Sequence, residues 1–151
     1  MRRASLFAAF VLVALTAGCG GEAEHEGEEH DFDKAADRGV CVAQAHQVKD
    51  LPNGFPSDFP FPHGTVVYHA EDRGEDGVVV TGVSPKPLED VLAALNGPAQ
   101  DAGFKVTNGE TEEHDAEANW SGNGYRGRWA IRESSECPGE TVVQVLAAGA
   151  E

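Results

Sequence analysis

The stretch Tyr125-Arg126-Gly127-Arg128-Trp129-Ala130-Ile131-Arg132-Glu133 decides the fold, because its side chains alternate in character with a period of two. Aromatic, aliphatic or small residues would share one face of a strand: Tyr125, Gly127, Trp129 and Ile131. Arginines would share the other face: Arg126, Arg128 and Arg132. This alternation is typical of a strand in an antiparallel sheet that packs one face on a core and leaves the other to water.

Further β-rich segments flank this strand. Gly122-Asn123-Gly124 lies directly before it and supplies the positive φ angles that a tight hairpin turn requires. A polar turn at residues 71–76 joins the first two segments into another predicted hairpin. The predicted strands are residues 65–70, 77–83, 104–111, 116–121, 125–133 and 141–147.

A helix is predicted between the second and third strands. Its apolar residues recur at helical spacing: Leu88, Val91, Leu92, Leu95, Ala99 and Ala102. Ser84, followed by two prolines, is typical of a helix start, and Gly103 would end the helix. Pro98 cannot donate to the carbonyl of Ala94, but the stripe continues in phase, which predicts one kinked helix.

These elements predict an α+β fold. It would contain an antiparallel sheet of about five to six strands, with one kinked helix packed on one face and the opposite face open to water. The order along the chain would be β-β-α-β-β-β-β.

A leader rich in proline and phenylalanine, residues 51–64, precedes the first strand. Proline fixes φ and lacks an amide donor, so we expect this leader to run extended, close to polyproline II. Phe55, Phe59 and Phe61 would pack over one face of the domain; the alternative is a proline-rich docking motif. Residues 40–48 are either an edge strand or a single helical turn.

The N-terminus has the architecture of a secretory signal. Arg2 and Arg3 precede the apolar residues 6–15 and the small residues 16–18. The apolar run is shorter than the roughly 20 residues that cross a bilayer as a helix. Leu15-Thr16-Ala17-Gly18-Cys19 resembles a bacterial lipobox, which implies that a diacylglyceryl group is joined to Cys19 and that cleavage occurs before it. The alternative is an ordinary cleaved signal that leaves Cys19 as a free thiol.

The chain has three cysteines, an odd number for an exported protein. If Cys19 carries lipid, Cys41 and Cys137 remain and would form a disulfide in an oxidising compartment. The alternative is two buried free thiols. Neither cysteine has another Cys or a His at the spacing of zinc ligands.

Residues 19–39 are predicted to be an acidic tether, because they contain many carboxylates and few apolar side chains. His25 and His30 lie among these carboxylates and could bind zinc or copper; the alternative is a solvated spacer. Removal of residues 1–18 takes away two arginines and no acids, so the formal charge changes from −15 to −17. A chain this acidic is not expected to bind nucleic acid.

The whole pattern resembles small actinobacterial lipoproteins. These share a lipobox, a polar tether, a leader of the form Phe-Pro…Asp…Pro…Pro-x-Gly and a compact domain of two strands, a helix and more strands. The resemblance implies a location in the cell envelope and a fold type, and it transfers no catalytic residue. The chain would divide into a signal peptide (1–18), a lipidated tether (19–39) and one α+β domain (40–151).

The arginine face is the strongest candidate for binding. The guanidinium groups of Arg126, Arg128 and Arg132 could receive an anionic ligand or an acidic patch of a partner. The alternative is that they pair with acids of neighbouring strands, such as Glu117. The loop at residues 112–115 is polar, and we interpret it as solvated rather than as an acid–base or metal site.

Catalytic patterns such as Gly-x-Ser-x-Gly and His-Glu-x-x-His do not occur in the sequence. We therefore expect a non-enzymatic binding module without a cofactor, anchored by lipid to the outer face of the bacterial cell membrane. Its partner would be an envelope protein or a small ligand, and its oligomeric state stays open. The alternative function is a metal-handling lipoprotein that uses His25 and His30.

Overall fold

The computed structural model describes residues 39–150 of the chain. Six strands form one antiparallel sheet: β1 (Val66–Asp72), β2 (Val78–Ser84), β3 (Lys105–Thr111), β4 (Asp115–Gly122), β5 (Tyr125–Glu133) and β6 (Thr141–Gly149). Two helical segments separate β2 from β3: α1 (Leu88–Asn96) and α2 (Pro98–Asp101). A 3₁₀ turn, Gly74–Asp76, lies between β1 and β2. The predicted α+β class and the order β-β-α-β-β-β-β are confirmed.

The strands lie in the order β1-β2-β6-β5-β4-β3. After the β1–β2 hairpin the chain crosses the sheet through α1 and α2 to the opposite edge. It then returns through three consecutive antiparallel pairs and ends beside β2. The β4–β5 hairpin has a two-residue turn in which Asn123 (φ 52°) and Gly124 (φ 82°) are left-handed, as the sequence predicts.

The core lies between the bent helix and one face of the sheet. The helix buries Leu88, Val91, Leu95 and Ala99, while Leu92 is partly buried. The sheet supplies Trp129 and Ile131 from β5 and Val143 and Val145 from β6. The predicted apolar stripe is one residue shorter at its end, since Ala102 is exposed.

The helix bends at Gly97 and Pro98. The Gly97 amide still donates to the Ala93 carbonyl at 3.0 Å, and Pro98 begins the second segment. Proline is well suited to the first position of a helix, because an amide N–H at that position has no acceptor within the helix. Gly103 (φ 96°) ends the helix, as predicted, and the Phe104 amide donates to the Ala99 carbonyl at 3.0 Å.

The helix start was predicted wrongly. Ser84 does not cap the helix, because it is the last residue of β2 and pairs with Thr141. The residue before α1 is Pro87, which provides no side-chain cap. The Ser84 hydroxyl is buried and has no hydrogen-bond partner among residues 39–150.

The leader at residues 51–64 packs on the core but is not extended. It turns repeatedly, with Phe55, Phe59 and Thr65 donating to the carbonyls of the prolines three positions earlier at 3.0–3.3 Å. Proline lacks a donor but keeps its carbonyl acceptor, so each can open a turn. Phe55 and Phe59 are buried and Phe61 is partly buried, which confirms the predicted packing role.

Residues 40–48 contain a helical turn rather than a strand. The Gln44 and Ala45 amides donate to the Cys41 carbonyl at 2.8 and 2.9 Å. Further along, the Val48 amide donates to the Val67 carbonyl at 2.8 Å, and the Val67 amide donates to Gln47 Oε1 at 3.1 Å. This segment therefore satisfies backbone groups at the outer edge of β1.

The sheet face opposite the helix differs from the prediction that it is open to water. By alternation, Val79 and Val83 of β2 and Val142 of β6 lie on that face, and all three are buried. The corresponding side chains of β3, β4 and β5 are exposed or partly exposed. The three valines are therefore shielded from water, whereas the half of this face formed by β3, β4 and β5 is accessible.

Candidate functional site: an arginine-lined groove on the sheet

Strand β5 places the three predicted arginines on the sheet face away from the helix. In the register with β4, Arg132 lies opposite Asp115, Arg128 opposite Asn119 and Arg126 opposite Ser121. All three lie on one face because residues two apart on a strand point the same way. The three arginines nevertheless have different surroundings, because β4 changes from acidic to neutral residues along its length.

Two of the arginines pair with acids of β4. Arg132 Nη2 lies 3.5 Å from Asp115 Oδ2, and Arg128 Nη2 contacts Glu117 Oε2. These side chains are partly buried, since each keeps about a third or less of its surface exposed. The structure thus supports the interpretation that Arg128 and Arg132 neutralise this protein's own acids, including Glu117.

Arg126 is different. It is exposed, and among residues 39–150 its side chain makes no hydrogen bond or ion pair. Arg128 reaches diagonally to Glu117, and the equivalent diagonal position for Arg126 is Asn119. Neither Asn119 nor Ser121 offers a negative charge, so β4 supplies no counter-ion at this end of the sheet.

An open groove of about 500 Å³ lies over this end of β5. Arg126 and Arg128 provide its charged surface, and β6 adds the partly buried apolar side chains of Leu146 and Ala148. The remaining side chains on this face are polar: Thr107, Asn119 and Ser121. The volume falls within the range of small-molecule sites, and the mixture of a cation, donors and an apolar surface suits binding.

A β-bulge shapes the β3 wall of the groove. The register of β3 against β4 shifts between Val106 and Asn108. Thr107 Oγ1 lies 3.1 Å from Asn108 Oδ1 and 3.3 Å from the Asn119 carbonyl oxygen, and Asn119 Nδ2 donates to Asn108 Oδ1 at 3.3 Å. These contacts link the polar side chains of the wall to each other.

The predicted disulfide is present: Cys41 and Cys137 are bonded, with Cα atoms 5.7 Å apart. Together with Glu140 they form the one group of potential metal ligands found among residues 39–150. Because the two sulfur atoms are bonded to each other, neither is available as a thiolate ligand. Cys19, His25 and His30 lie outside the described residues.

The polar loop between β3 and β4 lies at the other end of the arginine strand. His114 is exposed, and its Nδ1 lies 3.0 Å from Glu133 Oε2. Its Nε2 lies 3.8 Å from Glu113 Oε1, and Asp115 is committed to Arg132. These contacts are consistent with the interpretation of a solvated loop.

Burial raises the pKa of the Tyr68 hydroxyl above its ordinary value of 10.0. Tyr68 belongs to β1, at the edge of the sheet away from β3, and it does not line the groove. The raised pKa of Tyr68 therefore affects how stability depends on pH and has no part in the candidate site.

Comparison with known protein families, with curated proteins and with solved structures finds no match to this chain. No helix within residues 39–150 is long and apolar enough to cross a membrane.

Proposed function

We propose that this chain is a lipid-anchored protein of the cell envelope, held at the outer face of the membrane through Cys19. Its domain would be a non-enzymatic module that binds an anionic ligand in the arginine-lined groove. The signal-like N-terminus and the lipobox-like residues support the anchor. The groove supports the binding role.

One observation carries the binding proposal: Arg126 lies in a groove at the place where β4 stops supplying carboxylates. Its planar guanidinium can donate two parallel hydrogen bonds to a carboxylate or phosphate. A ligand would provide the negative charge that Glu117 and Asp115 provide to the other two arginines.

The strongly negative total charge of the chain shapes how such binding would occur. The acidic chain repels anions at long range, so the affinity must come from short-range contacts with Arg126 and the neighbouring hydrogen-bond donors. The groove lining includes arginine, hydroxyl, amide and aliphatic side chains, a set that serves recognition. This favours selective capture over non-specific attraction.

The binding proposal is tested with inorganic phosphate, citrate and acetate added to the purified mature chain at constant ionic strength. We expect amide resonances of Ser121, Arg126 and Arg128 to shift on binding, and we expect Arg126→Gln to need a clearly higher anion concentration for the same shifts. Arg73→Gln is the matched control: it removes the same charge from an exposed arginine in the β1–β2 turn, where Arg73 pairs with Glu71. Equal loss in both variants, or no shift with any anion, would refute a role for the groove.

The anchor is tested separately by fractionating cells that express Cys19→Ser. We expect this variant to leave the membrane fraction, while Cys137→Ser stays there. If the Cys19 variant remains bound, the lipid is not attached at this residue.

A further inference from the structure

We infer that a phosphate monoester binds at the β3 side of the groove, above the hydroxyl of Ser121. It would be held between Arg126, which lines the groove, and Lys105, which lies beside the groove on β3. This inference rests on the proposed function and specifies its ligand class. It starts from one row of residues that crosses four strands. Lys105, Ser121, Arg126 and Ala148 lie directly opposite one another on β3, β4, β5 and β6.

The row places one cationic residue on each side of the Ser121 hydroxyl. Neighbouring strands lie about 4.8 Å apart, so the Cα atoms of Lys105 and Arg126 are separated by about 10 Å across Ser121. Residues directly opposite in an antiparallel pair share a face, so all three side chains rise from the same side of the sheet. Both cationic side chains are long enough to converge on one group above Ser121.

The charges on this face favour a dianion. Asp115 and Glu117 each pair with one arginine, Arg132 and Arg128, and the exposed Glu110 lies opposite Glu117, away from Ser121. Lys105 and Arg126 form no ion pair among residues 39–150, which leaves two positive charges at one end of the face. A phosphate monoester carries about −1.5 to −2 at neutral pH, whereas a carboxylate carries one charge.

The carboxylate of Asp58 lies near this end of the sheet and accepts a hydrogen bond from an amide side chain. Asp58 approaches this end of the sheet from the leader, and its Oδ2 accepts a hydrogen bond from Asn123 Nδ2 at 3.2 Å. Asn123 belongs to the β4–β5 turn next to Ser121 and Arg126, so the turn holds this carboxylate through an amide and not through a cation.

The donors also fit phosphate. The guanidinium offers a two-point fork, the ammonium a compact charge and the hydroxyl a single donor, which together match three terminal oxygens. On the other side of Arg126, Leu146 and Ala148 form an apolar surface that the carbon framework of the ester can contact. A soluble small molecule fits better than a lipid headgroup, because an anionic bilayer repels so acidic a chain.

The test uses the full mature chain with inorganic phosphate, phenyl phosphate and acetate at constant ionic strength, followed by titration calorimetry. We expect phosphate to bind about tenfold more tightly than acetate, because two cations favour a dianion over a monoanion. Phenyl phosphate should bind more tightly still, because its ring can contact the apolar surface. Lys105→Gln and Arg126→Gln should each weaken phosphate binding about tenfold. Lys86→Gln and Arg73→Gln remove equal charges elsewhere and should leave the affinity unchanged.

The outcomes separate the two proposals. Equal affinity for acetate and phosphate, or an unchanged affinity in Lys105→Gln, overturns the phosphate inference while the anion site at Arg126 stands. Absence of binding for every anion overturns both. If a Cys19→Ser chain binds phosphatidylcholine vesicles that contain phosphatidic acid, but binds neither inorganic phosphate nor phenyl phosphate, the inference that the ligand is a soluble molecule is wrong. Unchanged thermal midpoints of the variants show that any loss is not unfolding.

Discussion

Cys41 and Cys137 are 96 positions apart in the chain, yet a disulfide joins them with a Cα–Cα distance of 5.7 Å. The bond ties the helical turn before the leader to the loop between β5 and β6. One residue further, the Val42 amide donates to Glu140 Oε2 at 2.8 Å, so a hydrogen bond reinforces the covalent link. The start of the domain is thereby fixed to the centre of the sheet.

Replacing both cysteines, Cys41→Ala with Cys137→Ala, should lower the free energy of unfolding by about 5 kcal/mol at most. In the chain-entropy model a closed loop of this length restricts the unfolded state by roughly that amount. Urea denaturation of the oxidised protein and the double variant measures the difference. Cys19→Ser is the control and should unfold as the unmodified sequence does. Equal stability of all three proteins would contradict the prediction.

The strands could be predicted because each is patterned on its own. In β5 the period of two is clear, and the Asn123-Gly124 turn fixes its pairing with β4. The helix was predictable because Leu88, Val91 and Leu95 lie at helical spacing. The helix start was not, because Ser84 suits a cap by type but is drawn into β2 by its pairing with Thr141. Tertiary pairing here overrides a local capping preference.

The groove was less accessible to sequence reasoning. Alternation alone placed the arginines on one face, but it could not reveal which of them pair with Glu117 and Asp115. That depends on the β4–β5 register. Lys105 lies opposite Ser121 because the register of β3 against β4 shifts by one residue between Val106 and Asn108, and alternation alone does not reveal such a bulge.

Phe59→Ala should destabilise the domain by about 3–5 kcal/mol, the range for truncating a buried aromatic side chain. Phe59 is buried, and its ring contacts those of Phe55, Phe61, Phe104 and Trp120 with centroids 5.0–5.7 Å apart. Removing it would open a cavity between the leader and the core. Chemical denaturation measures the loss. Phe59→Leu keeps most of the volume and should cost clearly less; equal losses in the two variants would argue against a cavity.

Gly127→Ala should also destabilise the domain, by about 1–3 kcal/mol, because it overpacks the centre of the sheet. A β-carbon at this position would clash with the Leu146 carbonyl oxygen and lie 2.8 Å from the Trp120 ring. Gly149→Ala is a matched control on the neighbouring strand, since nothing lies within 4 Å of a β-carbon there. Thermal unfolding of the two variants tests the prediction. A similar midpoint for both would show that the sheet accommodates the extra methyl group.

Tyr68 should make the domain less stable at alkaline pH. Burial raises the pKa of its hydroxyl above 10.0, so the folded state holds the proton more tightly than the unfolded state. Below about pH 10 the Tyr68 hydroxyl is protonated in both states, so its ionisation does not affect the free energy of unfolding. Above that pH the unfolded state releases its proton first, so the free energy of unfolding falls until the folded-state pKa is passed. Tyr68→Phe removes this ionisation, and its denaturation midpoint should fall less steeply than that of the unmodified protein over the same pH range. Parallel pH dependence in the two proteins would mean that Tyr68 ionises equally in both states.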